Sequence, residues 1–351
     1  MNIFQLVPRL VTTLSAGLVP ALWGGPGVGK SDVVKGLAAQ FNLEVIDFRL
    51  SQCESTDLNG IPDRADGRLV WLPPAIIPLA HDALPEGRAG WLLFLDEANS
   101  AAVDVQKAAY KLILDRAVGQ YALHPNVYMC VAGNLASDRA IVNRMPTPLQ
   151  SRLVHFQLDV DVDAWLVWAE QNNIDDRIMA FMRFSPDSLQ AFKPDSPENT
   201  YPCPRTWHMA SRILAVSKDI DTELLSGVVG QGAALEFTTF TEMFDKLPSF
   251  DDIIKSPQRA PMVDEPSITH VVFSLLVKKI DKDNADAVVT YASRYAVEYQ
   301  FYLFQQLRKQ RVLASGLKGS PPDPAKHARL RGALQTAAMV EWMQKYAEKM
   351  L

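Results

Sequence analysis

Eight consecutive residues, Gly24-Gly25-Pro26-Gly27-Val28-Gly29-Lys30-Ser31, fit the pattern G-x-x-x-x-G-K-[ST] at every fixed position. Such a run binds phosphate. Its glycines let the backbone curl so that successive N–H groups face phosphate oxygens, and the helix that follows adds its positive N-terminus. Lys30 is placed to reach the outer phosphates, and the Ser31 hydroxyl to meet Mg²⁺. With Asp32 opening the helix, the expected nucleotide contacts are Gly25, Pro26, Gly27, Val28, Gly29, Lys30, Ser31 and Asp32, and the expected ligands are a nucleoside triphosphate and Mg²⁺.

A second group of reactive types lies 66 positions after Lys30, where the apolar run Gly90 to Leu95 ends in Asp96 and Glu97. A carboxylate at a strand end can hold a metal through water, and its neighbour can orient and deprotonate an attacking water. Asp96 is read as the metal carboxylate and Glu97 as the base. Standing alone, the pair would equally suit capping of the helix Val103 to Leu114; beside a phosphate loop the catalytic role is favoured. A third apolar run, Val127 to Gly133, delivers Asn134, whose amide can hold water or the outermost phosphate and serves as well for a capping asparagine. Downstream, Arg139, Arg144 and Arg152 precede the strand Leu153 to Leu158, where an arginine can reach a neighbouring subunit.

The elements that must position these residues alternate between strand and helix. Met1 to Gly17 carries apolar residues at helical spacing, Leu18 to Trp23 reads as a strand, Ser31 to Phe41 as a helix and Leu43 to Leu50 as a second strand. This alternation implies a parallel sheet with ligands at the carboxyl ends of its strands. Ser55 to Pro62 is read as breaking any helix, Gly67 to Leu72 as one arm of a hairpin, and Asp115 to Asn126 as a second hairpin.

Together the glycine-rich loop, Leu95-Asp96-Glu97-Ala98-Asn99 and Ala132-Gly133-Asn134 resemble the AAA+ ATPases, and within them the MoxR-like branch of the helix-2-insert clade. Asp57 to Pro62 through Trp71 to Pro74 is similar to that clade's insert in its second helix, and Arg116 to Asn126 to its pre-sensor hairpin. The resemblance implies that Asn134 is the first sensor, Arg152 the arginine finger acting in trans with Arg144 as its rival, and Arg205 in Cys203-Pro204-Arg205-Thr206 the second sensor. It covers about residues 1 to 250. A surface arginine is the plain alternative for Arg205.

Past Asp159 the strand pattern stops. Val162 to Asn172, Arg177 to Phe184 and Arg205 to Val216 read as amphipathic helices of a lid. After the Pro-containing break Lys255 to Pro261, three long helices are expected, Ser267 to Ile280, Ala285 to Arg311 and Ala325 to Leu351. The fold expected is therefore α/β: a P-loop NTPase (AAA+) core with a parallel sheet over residues 1–160, a helical lid over 161–250 and a helical C-terminal extension over 251–351. The aromatic residues Tyr291, Tyr295, Tyr299, Phe301, Tyr302 and Phe304 are read as packing.

The 351 residues hold 48% hydrophobic and 21% charged types, an ordinary globular balance. No apolar run approaches a membrane span, and three cysteines without C-x-x-C spacing indicate a reducing compartment, so a cytoplasmic location is expected. A net charge of -5 gives no global pull toward nucleic acid. The basic residues Arg308, Lys309, Arg311, Lys318, Lys326, Arg329 and Arg331 fit a solvated face or subunit contact better. The six histidines show no metal-ligand spacing.

What the resemblance implies about function is a Mg-dependent ATP hydrolase working as a homo-oligomer, a hexameric ring. It would remodel or activate a protein client, beside a von Willebrand factor A-type partner. A nucleic-acid motor or GTP-driven restriction-type translocase of the same clade is the alternative; a nucleotide-gated scaffold is a third possibility.

Overall fold

A computed structural model describes residues 1–135, 143, 145–196, 198–217, 219–244, 247–263, 265–316 and 322–346. The chain divides into two compact units, Met1–Asp161 with Lys193–Ser196, and Val162–Phe192 with Pro197–Leu351.

The first unit opens with helix α1 (Ile3–Ser15), started by a capping box in which the Gln5 backbone N–H donates to Asn2 Oδ1 at 3.1 Å and the Asn2 N–H to Gln5 Oε1 at 3.3 Å. There follow β1 (Val19–Trp23), α2 (Lys30–Gln40), β2 (Leu43–Arg49), α3 (Ser55–Asn59), β3 (Ile61–Ala65) and β4 (Arg68–Leu72). Then come β5 (Gly90–Asp96), α4 (Val103–Asp115), β6 (Ala117–Val118), β7 (Tyr121–Ala122), β8 (Val127–Gly133), α5 (Thr147–Gln150) and β9 (Leu153–Gln157).

Five strands form one parallel sheet in the order β2-β5-β8-β1-β9. Parallel pairing requires helical crossovers that cover both faces, and β5 is accordingly buried along all but its last residue. Alternate residues serve opposite faces. Leu22, Phe94, Cys130 and Ala132 pack under α1 and α2 with Leu10 and Val34. Ala21, Leu93, Leu95 and Val131 pack on the other side, with Val105 and Leu112 of α4. The register sets Trp23 beside Gly133 and Gln157, and Asp96 beside Arg49, so the loops after β1, β2, β5 and β8 leave one edge of the sheet.

Both expected hairpins form. β3 and β4 pair antiparallel and are largely exposed. Gln120, in the turn between β6 and β7, clasps the first hairpin: the Trp71 N–H donates to Gln120 Oε1 at 3.3 Å and Gln120 Nε2 donates to the Trp71 carbonyl at 3.4 Å. One expectation fails here, since Ser55 to Asn59 is helical. The Glu54 N–H donates to Asp57 Oδ2 at 2.9 Å, Leu58 is buried, and Gly60 at φ 78° ends the turn.

The second unit is helical: α6 (Val162–Gln171), α7 (Asp176–Phe184), α8 (Pro204–Val216), α9 (Thr222–Val229), α10 (Gln231–Phe244), α11 (Phe250–Lys255), α12 (Pro266–Lys279), α13 (Ala285–Ala292), α14 (Val297–Ala314), α15 (Pro324–Leu334) and α16 (Ala337–Lys345). Two of the three long C-terminal helices expected from periodicity are thus broken, at Ser293 to Ala296 and at Gln335 to Thr336. The breaks let separate segments enclose one core. Tyr291 and Tyr295 share a hydrogen bond of 2.8 Å between hydroxyls, and Trp342 Nε1 donates to Gln300 Oε1 at 2.7 Å. The aromatic stripe is packing, as expected, with Tyr291 and Phe304 buried in that core. Among the described residues no helix is long and apolar enough to cross a membrane.

Candidate active site

The phosphate loop spans the turn from β1 to α2. Gly27 and Gly29 hold φ values of 73° and 92°, a left-handed backbone open to glycine and strained for other types, and Gly29 caps α2. Gly25, Pro26 and Val28 fill the turn, while Lys30, Ser31 and Asp32 form the first turn of α2.

Lys30 and Ser31 face the other expected site residues. Lys30 Nζ donates to the carbonyls of Gly24 and Gly25 at 2.7 and 3.0 Å and to Asn134 Oδ1 at 3.1 Å. Ser31 Oγ donates to Asp96 Oδ2 at 3.0 Å. Asp96 is the last residue of β5, and its other oxygen accepts the Glu97 backbone N–H at 2.8 Å. Burial pushes the Cys130 thiol well up, and the negative Asp96 adds to the effect, so that cysteine is an inert core group on β8.

Glu97 leaves the strand at φ 56°, a left-handed conformation uncommon outside glycine and asparagine, which turns its side chain away from the line of β5. Its carboxylate accepts a hydrogen bond from Ser51 Oγ. Ser51 lies in the turn after β2, the strand neighbouring β5, and was not singled out by sequence. Its signal is positional: a hydroxyl at the carboxyl end of a strand, on the edge where ligands bind.

Asn99, part of the run Leu95 to Asn99 at the end of β5, is given no role by the sequence. Although buried, its amide is bonded at both atoms: Nδ2 donates to the Asn134 carbonyl at 2.7 Å, and Oδ1 accepts the Asn134 N–H at 3.1 Å. One amide thereby fixes the backbone of Asn134 as it leaves β8. The space is closed from the other side, because a Cβ at Gly133 would lie 2.4 Å from a ring carbon of Trp23 and 2.5 Å from Asn99 Oδ1.

Arg152 follows α5; its Nη1 donates to the Pro148 carbonyl at 2.7 Å and its guanidinium sits 5.7 Å from the Tyr110 ring centroid. Arg139 and Arg144 fall outside the described residues. Arg205 is the second residue of α8, exposed, in the helical unit. In that unit too, Lys309 donates to Asp163 at 2.6 Å and Lys326 pairs with Glu170, so two members of the C-terminal basic group are neutralised by α6. Arg329 donates to the Ile280 carbonyl and Arg308 lies 5.8 Å from the Phe304 ring centroid; Lys318 lies outside the described residues.

A family model described as an AAA domain of the dynein-related subfamily matches residues 21–153, the stretch that holds the phosphate loop, Asp96, Glu97 and Asn134. No curated protein sequence matches the chain. Among solved structures, a point variant of RuvB from Thermotoga maritima aligns with 73% of this chain and 77% of its own, at 18% identity and a TM-score of 0.39. NtrX from Brucella abortus in complex with ADP aligns with 94% of this chain and 67% of its own, at 14% identity and a TM-score of 0.37. The family match and the parallel five-stranded sheet give residues 21–153 the AAA+ P-loop NTPase fold.

Proposed function

We propose that this chain, carrying an AAA domain over residues 21–153, is a MoxR-like ATPase that hydrolyses ATP in a hexameric ring and uses the energy to remodel a protein client. A von Willebrand factor A-type protein is the partner the sequence resemblance suggests. The observation that carries this reading is the meeting of Lys30, Ser31, Asp96 and Asn134 through direct hydrogen bonds at one sheet edge.

The donor set fits magnesium: a hydroxyl and a carboxylate 3.0 Å apart offer only hard oxygens. Ser31 and Asp96 would hold the ion, which when bound supplies charge neutralisation to the phosphate oxygens. The chain's own groups do the rest. Backbone N–H groups of Gly25 to Gly29 and the start of α2 cradle the phosphates, and Lys30 exchanges its carbonyl partners for them. The Glu97 carboxylate orients the attacking water and takes its proton. Asn134, fixed by Asn99, orients the same water or the outermost phosphate.

Arg152 acts on the site of the neighbouring subunit and Arg205 acts from the helical unit, with 161–250 as a lid and 251–351 as an extension that supports assembly. The two clasped hairpins, β3–β4 and β6–β7, present the client-facing surface. Nucleic acid is disfavoured as a substrate by the net charge of -5 and by the ion pairs that hold Lys309 and Lys326.

The test is hydrolysis by mixed rings of Glu97→Gln and Arg152→Ala subunits, each inactive alone. Restored turnover is expected, because a subunit lacking the arginine keeps its own base and receives Arg152 from its neighbour. A chain that stays monomeric with nucleotide yet turns over ATP rapidly would exclude the ring, and stimulation by DNA with steep salt dependence would point to the nucleic-acid motor.

A further inference from the structure

Trp23 is the last residue of β1, immediately before the phosphate loop. Strand register pairs Ala21 with His155 on β9, so Trp23 and His155 are diagonal neighbours on one face of adjacent strands. Their rings meet edge to edge with centroids 5.8 Å apart and planes 15° from parallel, and Trp23 Nε1 donates to His155 Nδ1 at 2.8 Å. Indole nitrogen only donates, so Nδ1 must accept and the proton of the neutral imidazole resides on Nε2. From there it donates to the Gln150 carbonyl at 2.7 Å.

Gln150 is the last residue of α5, and its carbonyl is one that a helix end leaves without an intrahelical partner. Arg152 stands two residues on. Its other hydrogen bonds are local, Gln150 Nε2 donating to the Met145 carbonyl at 3.0 Å and Arg152 to that of Pro148, while Leu149 packs in the core and the Arg152 guanidinium lies over Tyr110 of α4. At the opposite side of the indole, the ring lies against Gly133, the residue before Asn134. A single indole therefore abuts the start of the phosphate loop, the exit of β8 and, through one imidazole, the segment that carries Arg152.

We infer that His155 is a positioning residue for the arginine given to the neighbouring subunit: it fixes α5, and hence Arg152, to the β1 end of its own subunit. The role rests on the trans assignment of Arg152 made above. Displacement of the β1 end by nucleotide is passed through two rigid, hydrogen-bonded rings to a carbonyl two residues from the guanidinium, so occupancy of one site sets the arginine offered to the next.

Mixed rings test this. His155→Ala alone is expected to lose about tenfold in kcat, the equivalent of one hydrogen bond, with nucleotide affinity unchanged. His155→Gln, which keeps one acceptor and one donor, is expected to regain most of it. Rings mixing His155→Ala with Glu97→Gln subunits are expected to hydrolyse faster than either ring alone, because the intact base of the first receives a well-placed Arg152 from the second. If Glu97→Gln complements Arg152→Ala but not His155→Ala, the positioning role is overturned and the trans arginine stands. If neither pair gains, the trans arginine falls and the role falls with it. Undiminished kcat in His155→Ala also overturns it. Should that variant fail to assemble, Trp23→Phe removes the N–H donor together with the outer ring carbons of the indole; it must show the same kcat loss and the same complementation, and its failure to do so overturns the role.

Discussion

The Ser51 hydroxyl donates to the carboxylate of Glu97, joining the turn after β2 to the residue that leaves β5. The bond occupies one oxygen of the group assigned as base. Removing it frees that oxygen to meet the attacking water. Ser51→Ala is expected to raise basal hydrolysis about fivefold, the equivalent of roughly 1 kcal/mol, with nucleotide affinity unchanged. Steady-state kinetics beside a nucleotide titration check this.

Lys30 and Glu97 should separate binding from chemistry. Lys30→Ala removes the cation that faces the loop carbonyls and Asn134, and is expected to abolish nucleotide binding by calorimetry. Glu97→Gln keeps size and loses the base; affinity should persist while kcat falls by about 10²- to 10⁴-fold. A Glu97→Gln protein that hydrolyses at the unmutated rate would remove Glu97 from the role of base.

Asn99→Ala leaves the Asn134 N–H and carbonyl without their partners. The expected cost is about 1–3 kcal/mol, read as a lower thermal midpoint, and kcat should fall because Asn134 is no longer held.

Gly133→Ala pushes a methyl group into Trp23 and Asn99 at distances no relaxed structure tolerates. Overpacking of this kind costs about 1–3 kcal/mol. Denaturant midpoints should show it, and combining the change with Asn99→Ala should cost less than the sum, since the two share a contact.

Asp175 caps α7 and accepts from the Arg177 backbone N–H at 2.9 Å and from its Nε and Nη2 at 3.0 and 2.8 Å. Burial pushes its carboxyl up, but the hydrogen bonds and charge of Arg177, with Lys278, outweigh it and hold the group below its ordinary value. A depressed carboxylate contributes stability that is complete above its unfolded value of about 3.9 and is lost as pH falls toward the folded one. Thermal melts should therefore weaken as pH falls below about 4, and Asp175→Asn should flatten that limb.

The phosphate loop and the two carboxylates after β5 were legible because their signals are local. Eight adjacent residues set the loop, and an apolar run ending in Asp96 and Glu97 marks a buried parallel strand wherever it lies in the sheet. The hairpins were legible from glycine and proline, and the aromatic stripe of α13 and α14 from its spacing. Helix ends were less so. Ser55 to Asn59 became helical because Leu58 found a buried site, and the last two long helices broke because Tyr291, Gln300 and Trp342 pack in a core that periodicity does not describe.

Sequence alone thus determined the glycine-rich turn between β1 and α2 and the carboxylates that end β5, since those patterns need only neighbours along the chain. Tertiary structure alone decided that Ser51 meets Glu97, Asn99 meets Asn134 and His155 meets Trp23. Those partners lie 46, 35 and 132 positions apart. Only the strand order β2-β5-β8-β1-β9 and its register bring them to one edge, and side-chain pairing across strands follows that order, which local hydrophobic period leaves open.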